Sequence, residues 1–196
     1  MTSKSLHYSQ QWLDAADVDA VAEVLRGDWL TTGPAVEQFE RAFAETVGAR
    51  YAVACSSGTA GLHLAALALG LGADDRVVVP TMTFTATASV VRHVGAEVVF
   101  ADVAPDTGLL DGKGFSGALD QGQAADIKAV FPVHLSGQCV DMGMVADRAR
   151  EYGLAVVADA CHAIGAGYDR SGASGPGGGG RGEGGCGGGD GGGSSR

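Results

Sequence analysis

The sequence lacks a long apolar run and an excess of positive charge. No window of its 196 residues approaches about 18 uninterrupted apolar residues, and residues 1–11 contain no apolar core of a signal peptide. Lys and Arg total 13 against 23 for Asp and Glu, which gives a formal charge of -10. This acidic balance argues against nucleic acid or an anionic membrane as the partner. We therefore expect a soluble, cytoplasmic protein.

The sequence also lacks closely spaced cysteine pairs. Cys55, Cys139, Cys161 and Cys186 show neither CxxC spacing nor the density of a secreted disulfide scaffold. We expect reduced thiols and no metal site, because Cys161 and His162 are adjacent and no further ligand pair stands at metal-binding spacing.

Large apolar side chains are missing from the last stretch of the chain. Residues 171–196 contain 15 glycines and no aromatic, Leu, Ile, Val or Met residue. Such a segment cannot offset the entropy lost on ordering. We therefore predict a large domain over residues 1–170 and a disordered Gly-rich tail over residues 171–196.

What the sequence does contain is an alternation of short β-rich runs with helical patterns. Runs rich in valine and alanine predict strands at residues 51–55, 76–80, 97–101, 127–133 and 154–159. Apolar spacing and capping residues predict helices at residues 17–26, with Asp17 as the cap, and at 34–47, 59–69, 83–94 and 142–152. The alternation predicts a three-layer α/β sandwich around a mostly parallel sheet. Ligands are then expected at the carboxyl ends of the strands.

A small polar motif, SSGTAG at residues 56–61, stands between a predicted strand and a predicted helix. Free amide groups, hydroxyls and the positive end of the helix dipole suit a phosphate group at such a junction. The alternative is an ordinary Ser/Thr cap followed by a glycine turn. No lysine follows as in a P-loop, and the spacing is not that of GxGxxG.

Asp159 stands at the end of an apolar run, within the motif DACHA at residues 159–163. A carboxylate at a buried strand end costs desolvation energy unless a cationic partner or several donors hold it. A protonated heterocycle would supply that partner, whereas the alternative is a helix cap. For His162 the alternative to a site role is a satisfied core histidine.

Two further segments follow predicted strands. Phe84, in TFTAT at residues 83–87, could lie flat against a cofactor ring or could simply belong to the core. The polar loop HLSGQ at residues 134–138 is a binding candidate at another carboxyl end, or a solvated loop.

Taken in order, these motifs resemble the DegT/StrS family of pyridoxal-phosphate-dependent nucleotide-sugar aminotransferases, over residues 5–168. WLTTGP at 29–34, VHLSGQ at 133–138 and DACHAIGA at 159–166 are most similar to one branch of that family. That branch aminates a UDP-linked 4-keto-6-deoxy-N-acetylhexosamine in pseudaminic acid biosynthesis.

The resemblance implies a fold type I large domain, glutamate as the amino donor and a homodimer that shares its active sites. It implies cofactor-binding roles for Gly58, Thr59, Ala60, Phe84, Asp159 and His162, and substrate-binding roles for Thr31, His134 and Gln138. Gly58, Thr59 and Ala60 would hold the phosphate, and Phe84 would stack on the pyridine ring. Asp159 would pair with the ring nitrogen and keep it protonated. His162 would help to orient the cofactor.

The chain departs from the family pattern in its lysines. A family member would carry a segment similar to Ser-x-His-x-x-Lys roughly 25 to 30 residues after Asp159, and its lysine would bond to the cofactor. Residues 184–190 contain no lysine, and Lys4, Lys113 and Lys128 are expected in the tail or on the opposite side of the sheet. We therefore expect a C-terminally truncated aminotransferase without a catalytic lysine and without turnover. The alternative is a non-catalytic fragment that binds pyridoxal phosphate or a nucleotide sugar.

Overall fold

The computed structural model describes residues 11–121 and 124–167 of the chain. The predicted disordered tail at residues 171–196 lies outside the described residues, as does the end of the predicted large domain. Within the described ranges, no helix has both the length and the apolar character needed to cross a membrane.

A four-stranded parallel sheet forms the centre of the fold. Its strands are β1 (Arg76–Pro80), β2 (Glu97–Ala101), β3 (Ile127–Val130) and β4 (Ala155–Val156), in the order β2-β1-β3-β4. All three neighbouring pairs are parallel. The mostly parallel sheet that the sequence predicts is therefore confirmed.

The described residues form six α-helices, and the last four of them cover the two faces of the sheet. In chain order they are α1 (Ala15–Arg26), α2 (Pro34–Val47), α3 (Gly58–Ala68), α4 (Thr85–His93), α5 (Gly112–Gln121) and α6 (Met142–Tyr152). Val77 and Val79 of β1 pack in one core with residues of α3 and α4, whereas Val78 packs in a second core with residues of α5 and α6. Successive side chains of a strand point to opposite faces, so these three fully buried valines join the layers of an α/β sandwich.

Local capping fixes where the helices begin. The prediction that Asp17 caps the first helix is wrong, because Asp14 is the N-cap and accepts hydrogen bonds from the amides of Ala16 and Asp17 at 2.8 and 3.1 Å. Asp17 instead occupies the third helical position and accepts from the amide of Asp14 at 3.0 Å. The two side chains therefore form a reciprocal capping box.

The predicted strand at residues 51–55 is not a strand in the described structure. Tyr51 and Val53 are 80% and 79% exposed, and the amide of Ala54 donates to Glu40 Oε1 at 2.7 Å. An apolar run becomes a strand only where a neighbouring strand supplies hydrogen-bond partners, and none does so here among the described residues.

Strands β3 and β4 are shorter than predicted. Pro132 lacks an N–H, so the ladder is interrupted and resumes as a single parallel bridge between Val133 and Asp159. In that bridge, the amide of Asp159 donates to Pro132 O at 2.8 Å, and the amide of His134 donates to Asp159 O at 3.0 Å. These bonds fix the backbone of Asp159 at the carboxyl edge of the sheet.

Helix α5 was not predicted from the sequence, because three glycines fall within its first six residues. A Cβ at Gly114 would clash with the carbonyl oxygen of Asp102, so this glycine permits the close approach of α5 to the end of β2. The buried ring of Phe115 then anchors the helix in the core.

Helices α1 and α2 leave much of their apolar surface exposed. The apolar face that the sequence predicts for the first helix includes Val18, Val21 and Leu25, which are all exposed. Helix α1 buries no residue, and α2 buries only Ala44 among the residues that the structure describes.

Candidate cofactor site

A cavity of about 270 Å³ opens at the carboxyl edge of the sheet. It collects residues from the starts of α3 and α4 and from the segments that follow β3 and β4. The polar, aromatic and sulfur-containing side chains and the glycine that line it are Gly58, Thr59, Phe84, His134, Asp159, Cys161 and His162. Six of the nine site residues predicted from the sequence therefore meet at one place.

The carboxylate of Asp159 is the buried charge of this cavity, with 6% of the residue exposed. Its Oδ2 accepts a hydrogen bond from Thr87 Oγ1 at 2.8 Å, and its Oδ1 accepts one from the Cys161 amide at 3.3 Å. In the described part of the chain, no Lys, Arg or His forms an ion pair with it. The site therefore holds an acidic group that a cationic ligand atom can satisfy.

The start of α3 supplies donors for an anion. Ser57 is the N-cap, and its Oγ accepts from the Ala60 amide at 3.1 Å. The amides of Gly58 and Thr59 are first-turn donors that have no acceptor within their own helix, and both residues are exposed beside the cavity. Ala60 is half-buried and does not line the cavity, and its amide is engaged by the cap. The geometry is suited to a phosphate group.

Cys161 connects the start of α3 with the segment that carries Asp159. A Cβ on Gly58 would lie 2.6 Å from Cys161 Sγ, so only glycine fits at that position without displacement. Although the residue as a whole is exposed, burial of its sulfur and then the hydrogen bond and negative charge of Asp159 raise the pKa of the Cys161 thiol to about 11. The group is therefore a neutral thiol near pH 7.

Phe84 precedes α4 as its N-cap residue and is 70% exposed. The alternative that this ring belongs to the hydrophobic core is therefore wrong. An exposed aromatic face at the cavity mouth is available for contact with a flat ligand ring.

His162 is also exposed rather than buried in the core. Its Nδ1 accepts a long hydrogen bond of 3.4 Å from the amide of Ser136. Ser136 has φ 54° and Gly137 has φ 84°, so a tight turn aims this amide at the imidazole. In the neutral ring, Nε2 then carries the proton and is a donor.

The predicted substrate-binding residues lie in different environments. His134 is fully buried, lines the cavity, and accepts at Nδ1 from the Val140 amide at 3.0 Å. Thr31 and Gln138 are exposed and do not line this cavity.

The lysines of the described residues do not line the cavity either. Lys128 is exposed on β3, near the amino end of that strand, as expected. Lys113 differs from the expectation, because it lies in the first turn of α5, and Gly114 of the same turn packs against Asp102, just beyond the carboxyl end of β2. No group of three or more metal-ligating side chains occurs in the part of the chain that the structure describes.

Sequence reasoning missed Thr87 and the packing role of Cys161. Thr83 and Thr87 stand four residues apart in the motif TFTAT, a spacing that places them on one face of a helix. That spacing is a signal that could have indicated a polar pair facing the sheet.

A parallel sheet whose carboxyl edge combines a helix start suited to an anion with a buried carboxylate has the arrangement of a ligand-binding α/β domain. The model of the DegT/DnrJ/EryC1/StrS aminotransferase family matches residues 11–179, and the chain belongs to this family. The resemblance found in the sequence is therefore confirmed at the level of the family.

Solved structures share the fold. The aminotransferase from Psychrobacter cryohalolentis is 35% identical, with 80% of this chain and 39% of that chain covered and a TM-score of 0.75. The putative sugar aminotransferase Spr1654 from Streptococcus pneumoniae, in its PMP form, is 30% identical, with 83% and 44% covered and a TM-score of 0.74. The ntda protein from Bacillus subtilis with bound cofactor PMP is 35% identical, with 76% and 33% covered and a TM-score of 0.70. The chain thus spans less than half the length of these relatives.

Proposed function

We propose that this chain forms the cofactor-binding part of a pyridoxal-5'-phosphate-dependent sugar aminotransferase. The observation that carries the proposal is the buried Asp159 carboxylate, which faces the same cavity as the start of α3 and has no cationic partner among the described residues. Family membership and the PMP-bound relatives support the choice of cofactor.

The donor set fits the phosphate end of this cofactor. In the proposal, the free amides of Gly58 and Thr59 bind the phosphate, and the Thr59 hydroxyl is a further donor. Ala60 contributes through the helix turn that its amide closes with Ser57. The absence of a Cβ at Gly58 keeps this turn in contact with Cys161.

The carboxylate fits the ring end. When bound, pyridoxal phosphate supplies an electron sink that depends on a protonated ring nitrogen. Asp159 would hold that proton at the nitrogen through a charge-assisted hydrogen bond. Phe84 would cover one ring face, and the Nε2–H of His162 would orient the ring as a donor.

The proposed substrate is a nucleotide sugar, specifically the 4-keto group of a UDP-linked 6-deoxy-N-acetylhexosamine, with glutamate as the amino donor. This choice rests on the resemblance of three motifs to the branch of the family that serves pseudaminic acid biosynthesis. Thr31, His134 and Gln138 are the proposed substrate residues. Thr31 and Gln138 lie outside the cavity, and the proposal includes the homodimer with shared active sites that the resemblance implies.

A second candidate is a non-catalytic fragment that binds the cofactor. The observation that favours it is that no lysine of the described residues lines the cavity. Borohydride treatment followed by denaturing mass spectrometry shows whether any lysine of the chain bonds to the cofactor. A lysine-bonded cofactor remains attached as added mass after reduction, whereas a noncovalent cofactor is lost on denaturation.

Equilibrium dialysis of the purified chain with pyridoxal phosphate tests the cofactor proposal. We expect saturable binding that Asp159→Asn weakens by about tenfold or more, since the substitution keeps shape but removes a charge-assisted bond. Asp147→Asn is the matched control, because it removes the same charge from an exposed position on α6. Absence of saturable binding, or equal weakening by the two substitutions, contradicts the proposal.

A further inference from the structure

A chain of hydrogen bonds reaches the Asp159 carboxylate from α4. Thr83 Oγ1 lies 2.7 Å from Thr87 Oγ1, which in turn lies 2.8 Å from Asp159 Oδ2. Thr87 is fully buried, and it stands 72 residues before Asp159 in the sequence. The link is therefore a tertiary contact made inside the protein.

The donor and the acceptor in each of these hydrogen bonds follow from the number of protons that each group carries. An ionised carboxylate only accepts, so Thr87 must donate its single hydroxyl proton to Asp159. The proton between the two hydroxyls must then come from Thr83. Thr83 also lies 3.2 Å from Phe84 O, a longer contact that competes weakly with the one at 2.7 Å. The chain of hydrogen bonds thus runs from Thr83 through Thr87 to Asp159, and each hydrogen bond polarises the next.

The environment makes Thr87 a rigid donor. It lies on the buried side of α4, next to residues that pack in the core with β1, such as Val90 and Val91. A threonine in a helix is largely confined to two χ1 rotamers, so the buried hydroxyl has few alternative positions. The contact therefore holds the Asp159 side chain in one orientation.

We infer that Thr87, supported by Thr83, is a positioning residue that orients the Asp159 carboxylate toward the ring nitrogen of the cofactor. This inference rests on the proposed function. It predicts an effect confined to ligands that carry a ring nitrogen, because the phosphate donors of α3 do not depend on Thr87.

The test compares two probes by equilibrium dialysis against the purified chain. One is pyridoxal phosphate, and the other is its analogue in which CH replaces the ring nitrogen. Thr87→Val should weaken pyridoxal phosphate binding by about tenfold, the loss of one hydrogen bond to a charged group, and should leave the analogue's affinity unchanged. Thr87→Ser should restore binding, since it keeps the hydroxyl. Thr85→Val is the matched control, because Thr85 is an exposed threonine on the same helix.

Thr83→Val provides a second route if Thr87→Val does not fold. It removes the half-buried outer donor and keeps the contact between Thr87 and Asp159, so we expect a smaller, about threefold, loss that is again confined to pyridoxal phosphate. Equal losses for both probes in the folded variants, or no loss relative to Thr85→Val, would overturn the positioning role while the proposed function stands. If the unaltered chain binds neither probe, the proposed function and the positioning role fail together.

Discussion

The sulfur of Cys161 rests against Gly58 so closely that a Cβ on this glycine would lie 2.6 Å from it. This contact joins the helix start that is suited to a phosphate with the segment that carries Asp159. The two halves of the candidate site can therefore be disturbed by a change of one carbon atom.

Gly58→Ala should lower both cofactor affinity and stability. The added methyl must displace the Cys161 sulfur, and such overpacking costs about 1–3 kcal/mol. Dialysis with pyridoxal phosphate and urea unfolding measure the two effects. Adding Cys161→Ala should recover most of the loss, because it removes the sulfur. Failure of this double substitution to recover either quantity would show that the contact is not the cause.

The alkylation rate of Cys161 by iodoacetamide should rise with pH up to about 11. The reactive form is the thiolate, and burial together with Asp159 raises the pKa of this thiol to about 11. Asp159→Asn should shift the rate profile to lower pH, because the negative charge and the hydrogen bond that favour the thiol are removed. Peptide mass spectrometry follows Cys161 separately from the other cysteines. An unchanged profile would mean that Asp159 does not act on the sulfur.

Phe84→Ala should weaken pyridoxal phosphate binding with little change in stability, because the ring is largely exposed at the cavity mouth. We expect a stability change within about 0.5 kcal/mol, as for other exposed positions. Phe115→Ala is the contrasting variant, since its fully buried ring should cost about 3–5 kcal/mol. Urea unfolding and dialysis on the same preparations provide the comparison. Comparable destabilisation by the two substitutions would assign Phe84 to the core after all.

Asp14→Ala should weaken the start of α1 by about 1 kcal/mol, since the cap accepts from two first-turn amides. Hydrogen exchange at the amides of Ala16 and Asp17 measures the loss. Asp14→Asn is the control and should preserve protection, because Asn caps about as well as Asp. Faster exchange in both variants would point to charge rather than capping.

Much of the sheet could be predicted from the sequence, because strands β1 and β2 are short apolar runs with defined ends. The run at residues 51–55 has similar composition but no neighbour in the described structure, and composition does not encode a partner. Helix α5 was missed because it contains three glycines, and only the tertiary fold reveals that one of them, Gly114, permits a close approach to Asp102.

The candidate site could also be predicted only in part. Asp159 and Gly58 were predicted because a carboxylate after an apolar run and a glycine after two serines are local signals. Thr87 was missed because its importance depends on which face of α4 turns toward a residue 72 positions later. Whether Phe84 and His162 are exposed likewise depends on the final packing. The sequence alone could not decide between a site role and a place in the core for either residue.

The parallel arrangement of the sheet also makes the site depend on complete assembly of the fold. The cavity combines residues from the start of α3 to the segment after β4, and every neighbouring strand pair is parallel, so each pairing requires a crossover. The entropy of loop closure must be lost before such long-range contacts can stabilise the fold. The site therefore comes into existence only when β4 joins β3. A ligand that binds there selects fully assembled molecules and, by mass action, draws the folding equilibrium toward them.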